Sequence, residues 1–169
     1  RGVYTFCMCP GGEVIAAASE TGGVVVNGMS AHARDGRNAN SAVAVSINPA
    51  DFNGDVRKAI EFQRMLERKA FAVGGGGYTA PCQTMGDFFA GKAVTEPSVV
   101  IPTYMNGNCK VADISQVLPE FVTENLKVGF SCFDKKISGF ADTDSVLTAP
   151  ETRSSSPVRI NRGEDFQSI

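Results

Sequence analysis

The sequence predicts an α+β fold: an antiparallel β-sheet or small barrel from the two chain ends, with a helical lobe inserted in the middle. Three observations carry this. β-Branched and aromatic runs broken by Gly and Pro fill residues 1–50, apolar residues at helical spacing dominate 51–140, and extended patterning returns over 141–169. The ends therefore form a β-rich part and the middle a helical lobe.

Taken in order, Val3–Cys9 reads as a strand, and Pro10-Gly11-Gly12 reads as a hairpin turn before the pattern resumes at Glu13–Ala18. Gly22-Gly23 makes a second turn ahead of Val24–Asn27. Polar MSAHARDGRNAN (29–40) forms a surface or binding loop, and Ser41–Ile47 is a further strand. Asn53-Gly54-Asp55 starts a helix running to about Ala70, with Val56, Ile60 or Ala59, and Leu66 on the apolar face and Arg57, Lys58, Glu61, Arg64 and Glu67 elsewhere. The glycine loop VGGGGY (73–78) leads towards a short helix near Thr84–Ala90. Asp113 followed by Gln116 resembles a capping box, and Pro119 opens a second long helix to about Lys136. Val122, Leu126, Phe130, Phe133 and Ile137 mark its apolar face. Ser145–Ala149 and Val158–Ile160 are the closing strands, joined by polar Glu151–Ser156.

Composition narrows the function classes. The 169 residues suit one domain, and 43% hydrophobic with 20% charged residues is ordinary for a globular chain. Sixteen Lys+Arg against eighteen Asp+Glu leave a net charge of −2, which offers nothing to nucleic acid or an anionic membrane. The apolar runs are too short to span a bilayer, and no secretory leader pattern stands at the start. Five cysteines are an odd, scattered set, which fits reduced thiols in a cytoplasmic protein better than a disulfide scaffold. The lone His32 has no ligand partner at metal spacing, so no metal site is expected.

Four segments carry polar chemistry. Cys7 and Cys9 would share a strand face about 6.6 Å apart, too far for a disulfide unless the strand breaks at Met8. Packed, reduced thiols are the simpler reading. The VGGGGY run lacks the Lys-Ser/Thr of a phosphate loop and follows a helix, so it reads as a connector. ETRSSSPVRINR (151–162) sets Arg153, Arg159 and Arg162 among three serines, cations and donors that suit a carboxylate or phosphate as well as a solvated edge. His32 reads as a surface residue. Composition and spacing alone identify no reaction.

The stretch from Arg1 to Val45, with its Cys-x-Cys-Pro-Gly-Gly element, resembles the bacterial FAD-dependent dehydrogenases, also described as NAD(FAD)-utilising flavoproteins. The likeness continues through FQRMLERKAF (62–71), YTAPCQTMGDFFAGK (78–92), LPEFVTENLKVGFSCFDKKISGFA (118–141) and ETRSSSPVRI (151–160). It departs at TYMNGN (103–108), where relatives tend towards a Ser-Tyr-x-Pro-Gly turn. The resemblance implies a substrate or cap domain inserted between the halves of a Rossmann-type FAD domain, whose GxGxxG fingerprint this chain lacks. It implies FAD in the full-length oxidoreductase, NAD(P)H as electron donor, little flavin held by this chain alone, and an unknown small-molecule substrate. Expected partners are thus the flanking FAD-binding domain and that substrate, with neither nucleic acid nor membrane. On this basis Cys7 and Cys9 are candidate catalytic thiols. Gly11, Gly12, Arg153, Ser154, Ser155 and Arg159 are candidates to face flavin or substrate, and Asn27 and Arg34 to bind substrate. The alternative is a non-catalytic partner-binding module of a flavoprotein.

Overall fold

A computed structural model describes residues 1–93 and 95–169. The α+β class holds: the described residues form two three-stranded sheets and no closed barrel. Strands β1 (Val3–Ala16), β2 (Val26–Ser30) and β3 (Asn38–Val45) form an antiparallel sheet with β1 in the centre. A second sheet has β4 (Ala80–Thr84) between parallel β5 (Cys109–Val111) and antiparallel β6 (Val146–Thr148). The strand near the C-terminal end therefore pairs with strands of the middle, not with the N-terminal ones. The segment read as a helical lobe contributes β4 and β5 as well as helices α1 (Val56–Val73), α2 (Met85–Ala90) and α3 (Glu120–Asp134). No helix among the described residues is long and apolar enough to cross a membrane.

Local signals placed the helices well. Asp55 caps α1 by accepting from the Arg57 and Lys58 amides, and Thr84 caps α2 by accepting from Asp87 N–H. Asp113 caps a 3-10 turn, Ile114–Gln116, and Pro119 stands just before α3. Elsewhere tertiary packing decides. Pro10-Gly11-Gly12 is no hairpin: β1 runs unbroken for 14 residues, and the reversal comes later, where Ala17 N–H bonds Val25 C=O. Val158–Ile160 forms no strand, and the end shows one bridge, Arg162 to Ser168. On α1, Val56 is exposed while Glu67 is 2% exposed, reversing their expected roles. Ile137 lies beyond α3 and is exposed.

The core packs against both faces of the first sheet. Val14 and Val26 pack with Ala70, Ala80, Tyr104 and Val117, while Val3, Val43 and Val45 pack with Phe88, Leu126 and Phe130. Gly129 of α3 sits directly on β1, where an added Cβ would fall 2.5 Å from Val3 Cγ1. Alanine would gain about 1 kcal/mol of helix propensity there but lose about 1–3 kcal/mol to overpacking. Gly129→Ala should therefore lower Tm, and Val3→Ala in the same chain should return it to at least that of Val3→Ala alone. A fall in Tm that Val3→Ala leaves in place would mean the contact is not the cause.

The register puts Tyr4, Phe6, Ala42 and Ala44 on the face of Val14 and Val26, and Glu13, Ile15, Asn27 and Met29 on the face of Val3, Val43 and Val45. Tyr4 is 59% and Met29 50% exposed. An antiparallel sheet with one solvated face normally alternates apolar-in and polar-out. This one is largely apolar on both faces.

Candidate functional site

The pairing of β1 with β3 slips twice, between Phe6 and Cys9 and between Cys9 and Gly12. Each slip leaves a left-handed residue, Cys7 at φ 50° and Gly11 at φ 57°. These are β-bulges, which re-aim side chains and add twist. The irregularity is a bulge at Cys7 rather than a break at Met8, and both thiols stay free, Cys7 exposed and Cys9 half-buried.

The loop after β2 folds over the second bulge. An added Cβ on Gly11 would lie 1.9 Å from the Arg34 carbonyl oxygen, and Gly36 N–H donates to Gly11 C=O at 3.1 Å. The close approach that Gly11 permits is thus occupied by this chain's own backbone. A Cβ on Gly12 would meet Asn40 and the Met29 carbonyl, both at 2.6 Å. Arg34, itself left-handed at φ 53°, and His32 stay exposed on the loop. Asn40 donates to Glu13 C=O, and its buried Oδ1 has no partner among the described residues. Cys7, Cys9, Gly11, Gly12 and Arg34 therefore gather around one bulged stretch of sheet. Asn27, half-buried, pairs with Ile15 further along β1. The bulged strand and the loop over it thus carry an exposed thiol, an exposed arginine and exposed apolar side chains. That set suits an anionic or planar apolar ligand or a packed partner.

Arg153 lies elsewhere. Its Nε–H donates to Glu67 Oε1 at 2.6 Å and its Nη2–H to Glu67 Oε2 at 2.8 Å, with Glu20 3.4 Å from Nη2. Thr152 donates to the same Glu67 oxygen at 2.6 Å, and Arg64 Nε holds Glu20 at 3.0 Å. The Arg64 hydrogen bond, joined by Arg153, keeps the Glu20 carboxyl below its usual range, and Glu67 raises Arg153 further. Cys7 lies near the middle of β1 and Glu20 beyond its end, so roughly 20–25 Å of strand separates the two clusters. The structure does not bring Cys7, Arg34 and Arg153 into one cleft. Ser154, Ser155 and Arg159 are exposed beyond the clamp, and Gln63 Nε2 ties down the Thr152 carbonyl at 2.9 Å. Glu67 escaped the sequence reading, although its phase three residues before buried Ala70 was a signal.

The glycines of 74–77 follow the C-terminal end of α1, where carbonyls and the negative end of the helix dipole repel phosphate. The N-termini of α1 and α3 carry Asp55 and Glu120. These long-helix ends therefore do not fit a dinucleotide pyrophosphate. An apolar groove along α1, floored by Phe62, Met65 and Ala72, holds none of the residues singled out above.

Residues 1–154 match a protein family described as FAD-dependent protein, C-terminal domain-like. An uncharacterized protein of Clostridium beijerinckii (strain ATCC 51743 / NCIMB 8052) is 52% identical over 170 residues, covering 100% of this chain. The chain spans 32% of that relative's length.

Proposed function

We propose that this chain, which belongs to the FAD-dependent protein, C-terminal domain-like family, is the domain that covers the flavin and shapes the substrate pocket of a larger oxidoreductase. The observation that carries this reading is the exposed apolar side chains of the first sheet, Tyr4 on one side of the Cys7–Gly12 bulges along β1 and Ile15 with Met29 on the other. Exposed apolar side chains on both sides of the bulges suit a contact, and in a chain spanning 32% of a relative's length the rest of the polypeptide is the nearest candidate. The helix ends described above do not fit a pyrophosphate, so FAD is held by that remainder, in which this domain is an insert. When bound, the flavin supplies the redox chemistry, with a reduced nicotinamide as donor. This chain's residues exclude water and orient the acceptor, Arg34 by charge and Asn27 by its amide. The insert placement and the nicotinamide rest on the sequence resemblance.

Thiol labelling of the full-length, FAD-loaded protein tests it. Cys7 and Cys132 are both exposed in this domain, Cys132 on α3. If the flavin domain covers the bulge, N-ethylmaleimide should modify Cys7 at least about tenfold more slowly than Cys132. Equal rates would sink the cap reading. They would favour a partner-binding module, which the separation of Cys7 from Arg153 also favours, and Cys7 would then slow only when a partner is added.

A further inference from the structure

The cysteines that the topology brings together are Cys82 and Cys109, not Cys7 and Cys9. Cys82 lies in the middle of β4 and is 1% exposed; Cys109 opens β5 and is half-buried. In the parallel register Ala80 faces Cys109 and Cys82 faces Val111, so the two thiols are diagonal neighbours on adjacent strands. Thr148, on the strand at the far side of β4, is the register partner of Cys82. Three polar groups thus form a row across the second sheet. They are chemically unequal. The neighbouring Cys109 sulfur and then burial push the Cys82 thiol far up, so it stays protonated, while the Cys82 thiol and after it the Thr148 hydroxyl hold Cys109 below its ordinary value. A partly exposed, activated thiol beside a buried protonated one is the arrangement in which one sulfur attacks and the other resolves.

We propose that Cys109 and Cys82 form an exchangeable dithiol that takes its oxidising equivalents from small-molecule disulfides. The Cys109 thiolate attacks one sulfur of the disulfide, forming a mixed disulfide and releasing one thiolate. Cys82 then gives up its proton and attacks the Cys109 sulfur, releasing the second thiol. Two protein thiols are oxidised to one disulfide while the small disulfide is reduced to two thiols, so atoms and electrons balance. The new bond needs about 2.05 Å between the sulfurs. Diagonal neighbours start wider than that, so the remaining travel falls on β5. It is a three-residue edge strand hydrogen-bonded within its sheet only to β4, and a short edge strand can slide. The site stands on the second sheet, so it holds or fails independently of the cap reading.

The test is to treat the reduced, full-length protein with 2-hydroxyethyl disulfide and map non-reduced peptides by mass. A peptide pair linked through Cys82 and Cys109 is expected. Cys82→Ala should instead stop at the mercaptoethanol adduct on Cys109, and Cys109→Ser should carry neither link nor adduct at Cys82. The initial rate at which the wild-type protein consumes the disulfide should rise with pH through a midpoint below the ~8.5 of a free thiol, and Cys82→Ala should move that midpoint up. Circular dichroism confirms that each variant is folded, and Cys82→Ser replaces any Cys82→Ala that is not. Wild-type protein that accumulates the adduct without the link, or that reacts at neither residue, overturns the proposal.

Discussion

Arg153→Ala is expected to destabilise the domain by about 2–4 kcal/mol, more than Glu67→Gln at about 1 kcal/mol, although both break the same ion pair. The asymmetry follows from burial. Glu67 is 2% exposed, so removing Arg153 strands a carboxylate that water cannot reach. Breaking a fully buried pair costs about 3–5 kcal/mol. The figure here is lower because the Arg153 side chain is 37% exposed and part of its charge interaction is screened. With glutamine at 67, a carbonyl oxygen still accepts from Thr152 or Arg153, and the guanidinium turns to water and Glu20. Urea unfolding of each variant decides the matter: equal or reversed costs would mean that Glu67 is not the stranded partner. Arg159→Ala, on an exposed residue, should stay within about 0.5 kcal/mol. Acid should loosen the outer part of the clamp. The Glu20 carboxyl is depressed by Arg64 first and Arg153 after it, so its contribution is present above the usual glutamate range and lost as pH falls through the lowered value.

Gly11→Ala should cost a further large amount, about 2–5 kcal/mol, and should detach the loop that carries Arg34. Two penalties add. A left-handed φ of 57° costs a non-glycine residue about 1–2 kcal/mol. The new Cβ would also lie 1.9 Å from the Arg34 carbonyl oxygen, a backbone atom that moves only if the loop moves; such overpacking costs about 1–3 kcal/mol. Gly22→Ala is the control. It has φ 75° and nothing within 4 Å of the added Cβ, so only the conformational penalty of about 1–2 kcal/mol applies. Hydrogen exchange at the Gly36 amide, which donates to Gly11 C=O, should quicken in Gly11→Ala and not in Gly22→Ala. If the two variants exchange alike there, the loop is not held by this contact.

Both predictions concern residues that the sequence made conspicuous for other reasons. Arg153 stood out as a free cation near serines, and its Nε and Nη2 are in fact engaged by acids from α1 and from the turn after β1. Gly11 stood out as a hairpin glycine, and it sits inside a continuous strand because a loop crosses it. The flavin or substrate roles of Arg153, Ser154, Ser155 and Arg159 accordingly require either a third party at the clamp or a move of the segment.

What the sequence determined by itself is what short-range chemistry dictates. The Asp55 and Thr84 caps, the four-residue spacing of Val122, Leu126 and Phe130, and the turn at Gly22-Gly23 act within a few residues, so one pass along the chain finds them. What only the tertiary structure decided is which distant groups meet. Glu67 and Arg153 are 86 residues apart in sequence, β6 chose β4 over the N-terminal strands, and Cys82 met Cys109 across a parallel pair that no local pattern encodes. The reason is physical: a cap or a turn is satisfied by neighbours along the chain. A buried charge or a strand edge takes the partner that the packed core delivers to it.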